Sequence, residues 1–296
     1  PVIDAAHSLG CHVITCDYLP DNIAHKYSDE YHNVSILDKD AVLSLARELQ
    51  IDGIMSFAVD PGVVTAAYVA DRMGLPQAGP YESVCILQNK ELFRSFLESN
   101  GFNVPKSRGF STYEDAYADR YYFTWPVIVK PVDSAGSKGV SRVDTPEDLK
   151  AAFDNAKSHS FSGKVIIEEF IEKEGCSSDS DCFSVDGELK FVSFSAQRFD
   201  ESASNPYTPA AFSWPSTMTR EQESELTSEL QRLITLLGMR TSIYNVETRV
   251  GKNGKCYIME VSPRGGGNRL AEMLRMATGV DMITAAVKAA LGEKIT

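Results

Sequence analysis

The sequence predicts a mixed α/β and α+β chain: a Rossmann-like α/β region first, then a β-rich region with helices set between its strands. Three observations predict this. Residues 1–80 alternate helix-period and strand-period segments. DCFSVDGELKFVSFSAQR (181–198) reads as a hairpin turning at Asp186-Gly187. SIYNVETRV (242–250) and KCYIMEV (255–261) read as antiparallel strands across the turn GKNG.

The elements follow in order. PVIDAAHSLG reads as the end of a helix stopped by Gly10, with a strand over 13–16, the second half of a β-α-β unit. A short piece carrying the first strand and its turn is therefore expected before residue 1, and another beyond LGEKIT. AVLSLARELQ (41–50) has helical spacing, and DGIMSFA (52–58) reads as a short apolar strand. DPGVVTAAYVADRMG (60–74) starts on acid and proline and ends on glycine, as helices do. YESVCILQNKELFRSFLESN (81–100) is helical in pattern up to Gly101, and NVPKS (103–107) leads out extended. WPVIVKPV (125–132) and KVIIEEFI (164–171) read as strands around a helix over 146–158. Residues 199–218 lack a period and are long for a loop, which points to function. Helices are expected over 219–238, 269–278 and 281–291.

Composition narrows the function. With 43% hydrophobic residues, 296 residues can bury one large core or two modest ones. The formal net charge of −12 repels a phosphate backbone, so nucleic acid is not an expected partner. No apolar stretch reaches the ~18 residues of a membrane-spanning helix, so no membrane partner is expected. The six cysteines have no CxxC spacing, which favours reduced thiols and a cytoplasmic location. The five histidines are dispersed, and GxSxG is absent.

Three clusters could carry chemistry. In VIVKPVDSAGSKGV (127–140), Lys130 ends an apolar strand. The following loop, with Ser134, Gly136, Ser137, Lys138 and Gly139, lets backbone N–H groups approach phosphate oxygens. It is not a Walker A loop, and a mobile surface hairpin is the alternative. In VIIEEFIEKEG (165–175), backbone groups at a strand exit near Glu168 could read a purine edge, or the strand simply surfaces there. In NVETR and IMEVSPR, Glu247 and Glu260 are expected on one face of neighbouring strands. Two such carboxylates repel unless a cation lies between them; Mg²⁺ shared with phosphates would resolve this. The alternative is an ion pair of Glu247 with Arg249 or Arg264.

In this order the clusters resemble the ATP-grasp superfamily, nearest to carbamoyl phosphate synthase-like and amino-acid ligase-like members. The resemblance covers nearly the whole chain. It implies a truncated pre-ATP-grasp domain over 1–80, a helical linker over 81–110 and a two-lobed ATP-grasp domain over 111–296. The small lobe would span about 111–172 and the large lobe about 173–296. It implies an ATP-dependent ligase joining a small-molecule carboxylate to an amine or thiol through an acyl phosphate, with ATP and Mg²⁺ or Mn²⁺, in a homodimer. Lys90 and Lys130 would contact the phosphates, and the 134–139 loop would close over them. The backbones of Glu168 and Ile171 would bind adenine, with Glu169 and Phe170 beside them. Glu247 and Glu260 would hold the metal, and Arg264 would stabilise the reacting charge.

Two departures stand out. Ser262 occupies the place where the family's metal motif has asparagine, with Asn268 as a substitute donor. Ser177, Glu174 and Asp179 lie where many members carry a ribose- or metal-binding acid. Arg198, Arg249, Gly265 and Gly266 are candidates at the substrate end, and residues 199–218 a candidate substrate-facing segment. A nucleotide-binding module without catalysis is the alternative function. A Rossmann-type dinucleotide or sugar-nucleotide enzyme is suggested by the first 80 residues alone.

Overall fold

A computed structural model describes residues 1–200, 202–204 and 208–295. Helix α1 (Val2–Ser8) leads into β1 (Ile14–Cys16), which pairs in parallel with β2 (Glu30–His32). Helix α2 (Lys39–Leu49) is capped by Asp38, whose carboxylate accepts from the Ala41 N–H. Helix α3 (Asp60–Met73) has proline in its first turn and closes on Gly74 at φ 67°. The strand expected over 52–58 does not form, and the segment is irregular. Strands β1 and β2 pair only with each other. Ala58, at φ 59°, gives its N–H to the Gly265 carbonyl at 3.2 Å.

The single helix expected over 81–100 is two: α4 (Tyr81–Gln88) and α5 (Lys90–Ser99). Asn89 breaks it at φ −117°, ψ 114°, and its side chain accepts the Glu91 and Leu92 N–H groups. The break turns Lys90 into the first residue of a new helix, and its N–H bonds Val132 O at 2.9 Å.

A small antiparallel sheet follows. It comprises β3 (Ser107–Phe110), β4 (Val127–Pro131), β5 (Ser141–Val143) and β6 (Val165–Glu169), in the order β3-β6-β4-β5. Helices α6 (Tyr113–Ala118) and α7 (Leu149–Ser158) cover one face, burying Val127, Val129, Val165 and Ile167 against Leu149 and Phe153. Period-two alternation sends Lys130 and Glu168 to the other face.

The larger sheet holds β7 (Ser178–Val185) and β8 (Glu188–Phe191), turning through Asp186 at φ 50° and Gly187 at φ 81°, as the Asp-Gly pair predicts. Strands β9 (Ala196–Phe199) and β10 (Pro209–Ser213) form a separate hairpin. The predicted substrate-facing segment 199–218 thus falls partly in β10, and residues 201 and 205–207 lie outside the described residues. Helix α8 (Arg220–Leu236) starts in a capping box between Thr219 and Gln222. Strands β11 (Ser242–Val250) and β12 (Cys256–Ser262) complete the order β12-β11-β7-β8. One face packs Tyr244, Val246 and Ile258 on Leu226, Leu230 and Leu233 of α8. The other is apolar near Phe183 and Ile243, where α9 (Leu270–Thr278) and α10 (Met282–Leu291) supply Leu274 and Met282. Farther along, that face turns polar.

All six cysteines are free thiols. Among the described residues no helix is long and apolar enough to cross a membrane. Because Asn89 both ends α4 and caps α5, Asn89→Ala should cost about 1 kcal/mol and Asn89→Gly only a few tenths in urea denaturation. Equal costs would show that the side-chain cap does not hold the break.

Candidate functional site

The polar face of the large sheet is a register effect. Asp179, Glu247 and Glu260 stand opposite one another across β7, β11 and β12. Two residues along, Asp181, Asn245 and Ser262 form a second row on the same face. Glu247 and Glu260 therefore face each other as the sequence predicts. Asp181 and its place in the second row were not anticipated; the polar alternation S-D-S-D over 178–181 was the available signal.

The electrostatics follow from this crowding. Burial, then repulsion from Glu247, pushes the Asp179 carboxyl up to about 7, against the Asn245 hydrogen bond. Burial raises Asp181 to about 6, although it accepts from the Gly266 N–H at 2.9 Å and from Asn245 at 3.2 Å. The second Asp181 oxygen is buried without a partner among the described residues. Glu247 is raised by desolvation first, opposed by Arg249, with Glu260 adding repulsion. This donor set fits a divalent cation: two opposed carboxylates, one driven toward protonation, are what an added positive charge would relieve. Among the described residues no group of three or more His, Cys, Asp or Glu is arranged to hold a metal alone.

Three cations come from helix α5 and strand β4: Lys90, Arg94 and Lys130. The Lys90 ammonium donates to the Ser134 carbonyl at 2.9 Å and lies 3.6 Å from Glu260. Lys130 pairs with Glu168 Oε1, while Arg94 Nε donates to Glu168 Oε2 at 3.0 Å. Burial alone would raise the Glu168 carboxyl, but Arg94 and Lys130 hold it at about 2. Glu168 is thus not a surfacing residue; its side chain is sealed at the centre of a cation pair. Glu169 points to the opposite face, where it accepts the Thr124 N–H at 2.7 Å, so its side chain is not part of the cluster. Phe170 gives its N–H to Pro126 O, and the Arg142 guanidinium lies over its ring. The Ile171 carbonyl lies 3.4 Å from Arg249 Nη1. In the glycine loop Gly136, Ser137 and Gly139 all have positive φ, and Gly136 and Lys138 are exposed.

The candidates at the C-terminal end have partners of their own in the fold or are exposed. Arg264 is buried in a two-point pair with Asp60, at 2.8 and 2.7 Å, and its third nitrogen donates to Gly265 O. Burial alone would raise Asp60; the Arg264 fork holds it below the usual range. The Arg264 charge is thus balanced by Asp60 in this structure. Ser262 donates to the same Asp60 at 2.8 Å and accepts from Gln88 at 2.7 Å, so its hydroxyl proton goes to Asp60 and not to Glu247 or Glu260. Asn268 is exposed at φ 53° before α9. Gly265 and Gly266 are packing residues: a Cβ would lie 2.2 Å from the Phe57 ring and 2.5 Å from Leu270, respectively. Arg249 donates to Ser177 at 3.1 Å and lies 3.7 Å from Glu247, the ion pair weighed as an alternative. Arg198 is exposed on β9. Glu174 is exposed as well.

A cleft of about 260 Å³ opens beside Lys90 and Glu260, with Lys39, Asp60, Gln88 and Ser134 in its wall. It joins the N-terminal region to the cluster.

Removing Asp60 leaves Arg264 buried without its counter-ion, so Asp60→Ala should destabilise by about 3 kcal/mol or more in denaturant melts. Adding Arg264→Met should recover part of that loss. Asp179 and Asp181 hold protons more tightly folded than unfolded. The stability they give is complete below the ordinary aspartate range and lost as pH rises through about 6 to about 7. Without Mg²⁺, Asp179→Asn should flatten the fall in Tm from about pH 5 to pH 8.

A family model described as an ATP-grasp domain matches residues 123–272, just over half of the chain. A formate-dependent phosphoribosylglycinamide formyltransferase from a Synechococcus strain is 29% identical over 170 residues, covering 56% of this chain and 43% of that protein. A carbamoyl phosphate synthase large chain from a Thermoanaerobacter strain is 26% identical over 223 residues, 73% of this chain and 19% of the other. The chain thus spans less than half the length of these relatives. Among solved structures, an L-amino acid ligase from Bacillus licheniformis superposes with a TM-score of 0.80 at 23% identity, over 98% of this chain and 70% of that one. A phosphoribosylglycinamide synthetase from Anaerococcus prevotii gives 0.75 at 21% identity, over 99% and 72%. Motif order, strand register and family match converge: the chain belongs to the ATP-grasp family.

Proposed function

We propose that the chain binds MgATP and forms the ATP-using part of a ligase that joins a carboxylate to an amine, or to a thiol, through an acyl phosphate. The contact that carries this reading is Lys90 with Glu260, 3.6 Å apart. It brings a phosphate-binding cation to the edge of the carboxylate row.

In this reading residues 1–80 are a pre-ATP-grasp domain, 81–110 a linker, and 111–296 the ATP-grasp domain, divided near residue 172. Lys90 and Lys130 bind the phosphates, and the 134–139 loop covers them with backbone N–H groups. Adenine lies at the end of β6, against the backbones of Glu168 and Ile171. Glu247 and Glu260 would hold Mg²⁺, which supplies charge neutralisation to the phosphate oxygens. A substrate carboxylate oxygen attacks the γ-phosphorus, releasing ADP, and the amine then displaces phosphate from the acyl carbon. The protein's tasks are positioning, charge neutralisation and exclusion of water. The cleft beside Lys90 and Lys39 is our candidate for the carboxylate substrate. The six free thiols support a reducing, cytoplasmic setting.

One observation favours a second reading, a nucleotide-binding module without catalysis. Arg264 is held by Asp60, and Ser262 is held by Asp60 and Gln88. Calorimetry and product assays separate the two. The ligase reading expects Mg²⁺-dependent ATP binding that weakens at least about tenfold in Lys130→Ala or Glu260→Gln. It also expects ADP and phosphate release with some member of a panel of amino acids. Tight MgATP binding with no release across the panel favours the module. Unchanged MgATP affinity in Lys130→Ala overturns both.

A further inference from the structure

Arg94 has no role in the scheme above, yet it is one of the largest fully buried side chains, 2% exposed. It sits four residues after Lys90 on α5, so the two cations share one helix face. Each reaches both sheets. Lys90 touches the loop after β4 through Ser134 O, and β12 through Glu260. Arg94 touches β6 through Glu168 and β12 through the Met259 carbonyl at 2.8 Å, one residue from Glu260.

Glu168 divides its two oxygens between Arg94 and Lys130. A guanidinium is a rigid planar fork, whereas an ammonium on a four-carbon stem is not. Arg94 therefore fixes the carboxylate, and the carboxylate fixes the ammonium. One of three Lys130 N–H donors faces Glu168, which leaves two for phosphate oxygens. Without Arg94, the Glu168 carboxylate would be free to turn and take the ammonium with it. Arg94 Nη2 is buried and has no acceptor among the described residues.

We propose that Arg94 is a positioning residue for the nucleotide: through Glu168 it aims Lys130, through Met259 it holds the strand bearing Glu260, and so it sets the spacing of phosphate cation and metal carboxylate. The inference rests on the reading of this site as an MgATP site.

The test is a double-mutant cycle on the full chain, with MgATP affinity by titration calorimetry and the Tm of each nucleotide-free variant. Arg94→Lys keeps the charge but cannot bridge Glu168 and Met259 together. It should weaken MgATP binding about tenfold, and Arg94→Ala more. On a Lys130→Ala background, Arg94→Lys should cost at least about threefold less affinity than in the wild type, because the part of its effect that passes through Lys130 is already lost and only the part through Met259 remains. A purely structural role predicts otherwise: a lower Tm with MgATP affinity unchanged, or the same loss with and without Lys130. Either result overturns the proposal. If Arg94→Ala does not fold, Arg94→Lys and Glu168→Gln carry the same cycle. A wild-type chain that fails to bind MgATP would instead overturn the underlying site reading, and the proposal with it.

Discussion

The arrangement of the site depends on one buried anion. Glu168 lies inside the small sheet with Arg94 on one oxygen and Lys130 on the other. A carboxylate there without partners would be costly to keep charged, and loss of one partner typically costs about 3–5 kcal/mol. With both cations in place it stays ionised and joins three elements: α5, β4 and β6. Arg94 extends the link to β12 through Met259. The small sheet, the helix and the large sheet are therefore tied at the point where Lys130 and Glu260 are presented. A second tie, Asp60 with Arg264, fixes the N-terminal helix α3 to the turn after β12.

Between these ties lies a row of like charges. Strand register alone places Asp179, Glu247 and Glu260 side by side. Burial first, and repulsion within the row second, raises the carboxyls of Asp179 and Glu247. The fold keeps an unfavourable cluster of anions next to well-ordered cations. Such an arrangement makes sense for a site completed by a cation and a polyphosphate.

Much of this was legible in the sequence. The Asp-Gly hairpin, the GKNG turn and the facing of Glu247 and Glu260 follow from period-two alternation and turn chemistry. Lys130 stood out because an apolar strand ends on it. What was not legible depends on contacts distant in sequence. Arg94 looks like a solvent-facing charge on an amphipathic helix, and only the packing of α5 between two sheets buries it. Asp60 reads as helix punctuation, yet its partner lies 204 residues away. Gly265 and Gly266 were candidates at the substrate end from sequence; that they also leave room for Phe57 and Leu270 is visible only in the packing. The 52–58 strand failed because apolar pattern cannot supply a hydrogen-bonded neighbour.

Ser262 and Arg264, where the family pattern suggested direct chemistry, both contact Asp60. In the proposed reading the working surface is the row from Lys90 to Asp179, with Lys130 beside it. The most direct measurement is a crystal structure with Mg²⁺ and a non-hydrolysable ATP analogue. The account predicts metal density between Glu247 and Glu260, with the phosphates against Lys90 and Lys130. Nucleotide bound elsewhere, or phosphates that leave both lysines on Glu168 and Glu260 with no metal between the glutamates, would contradict it.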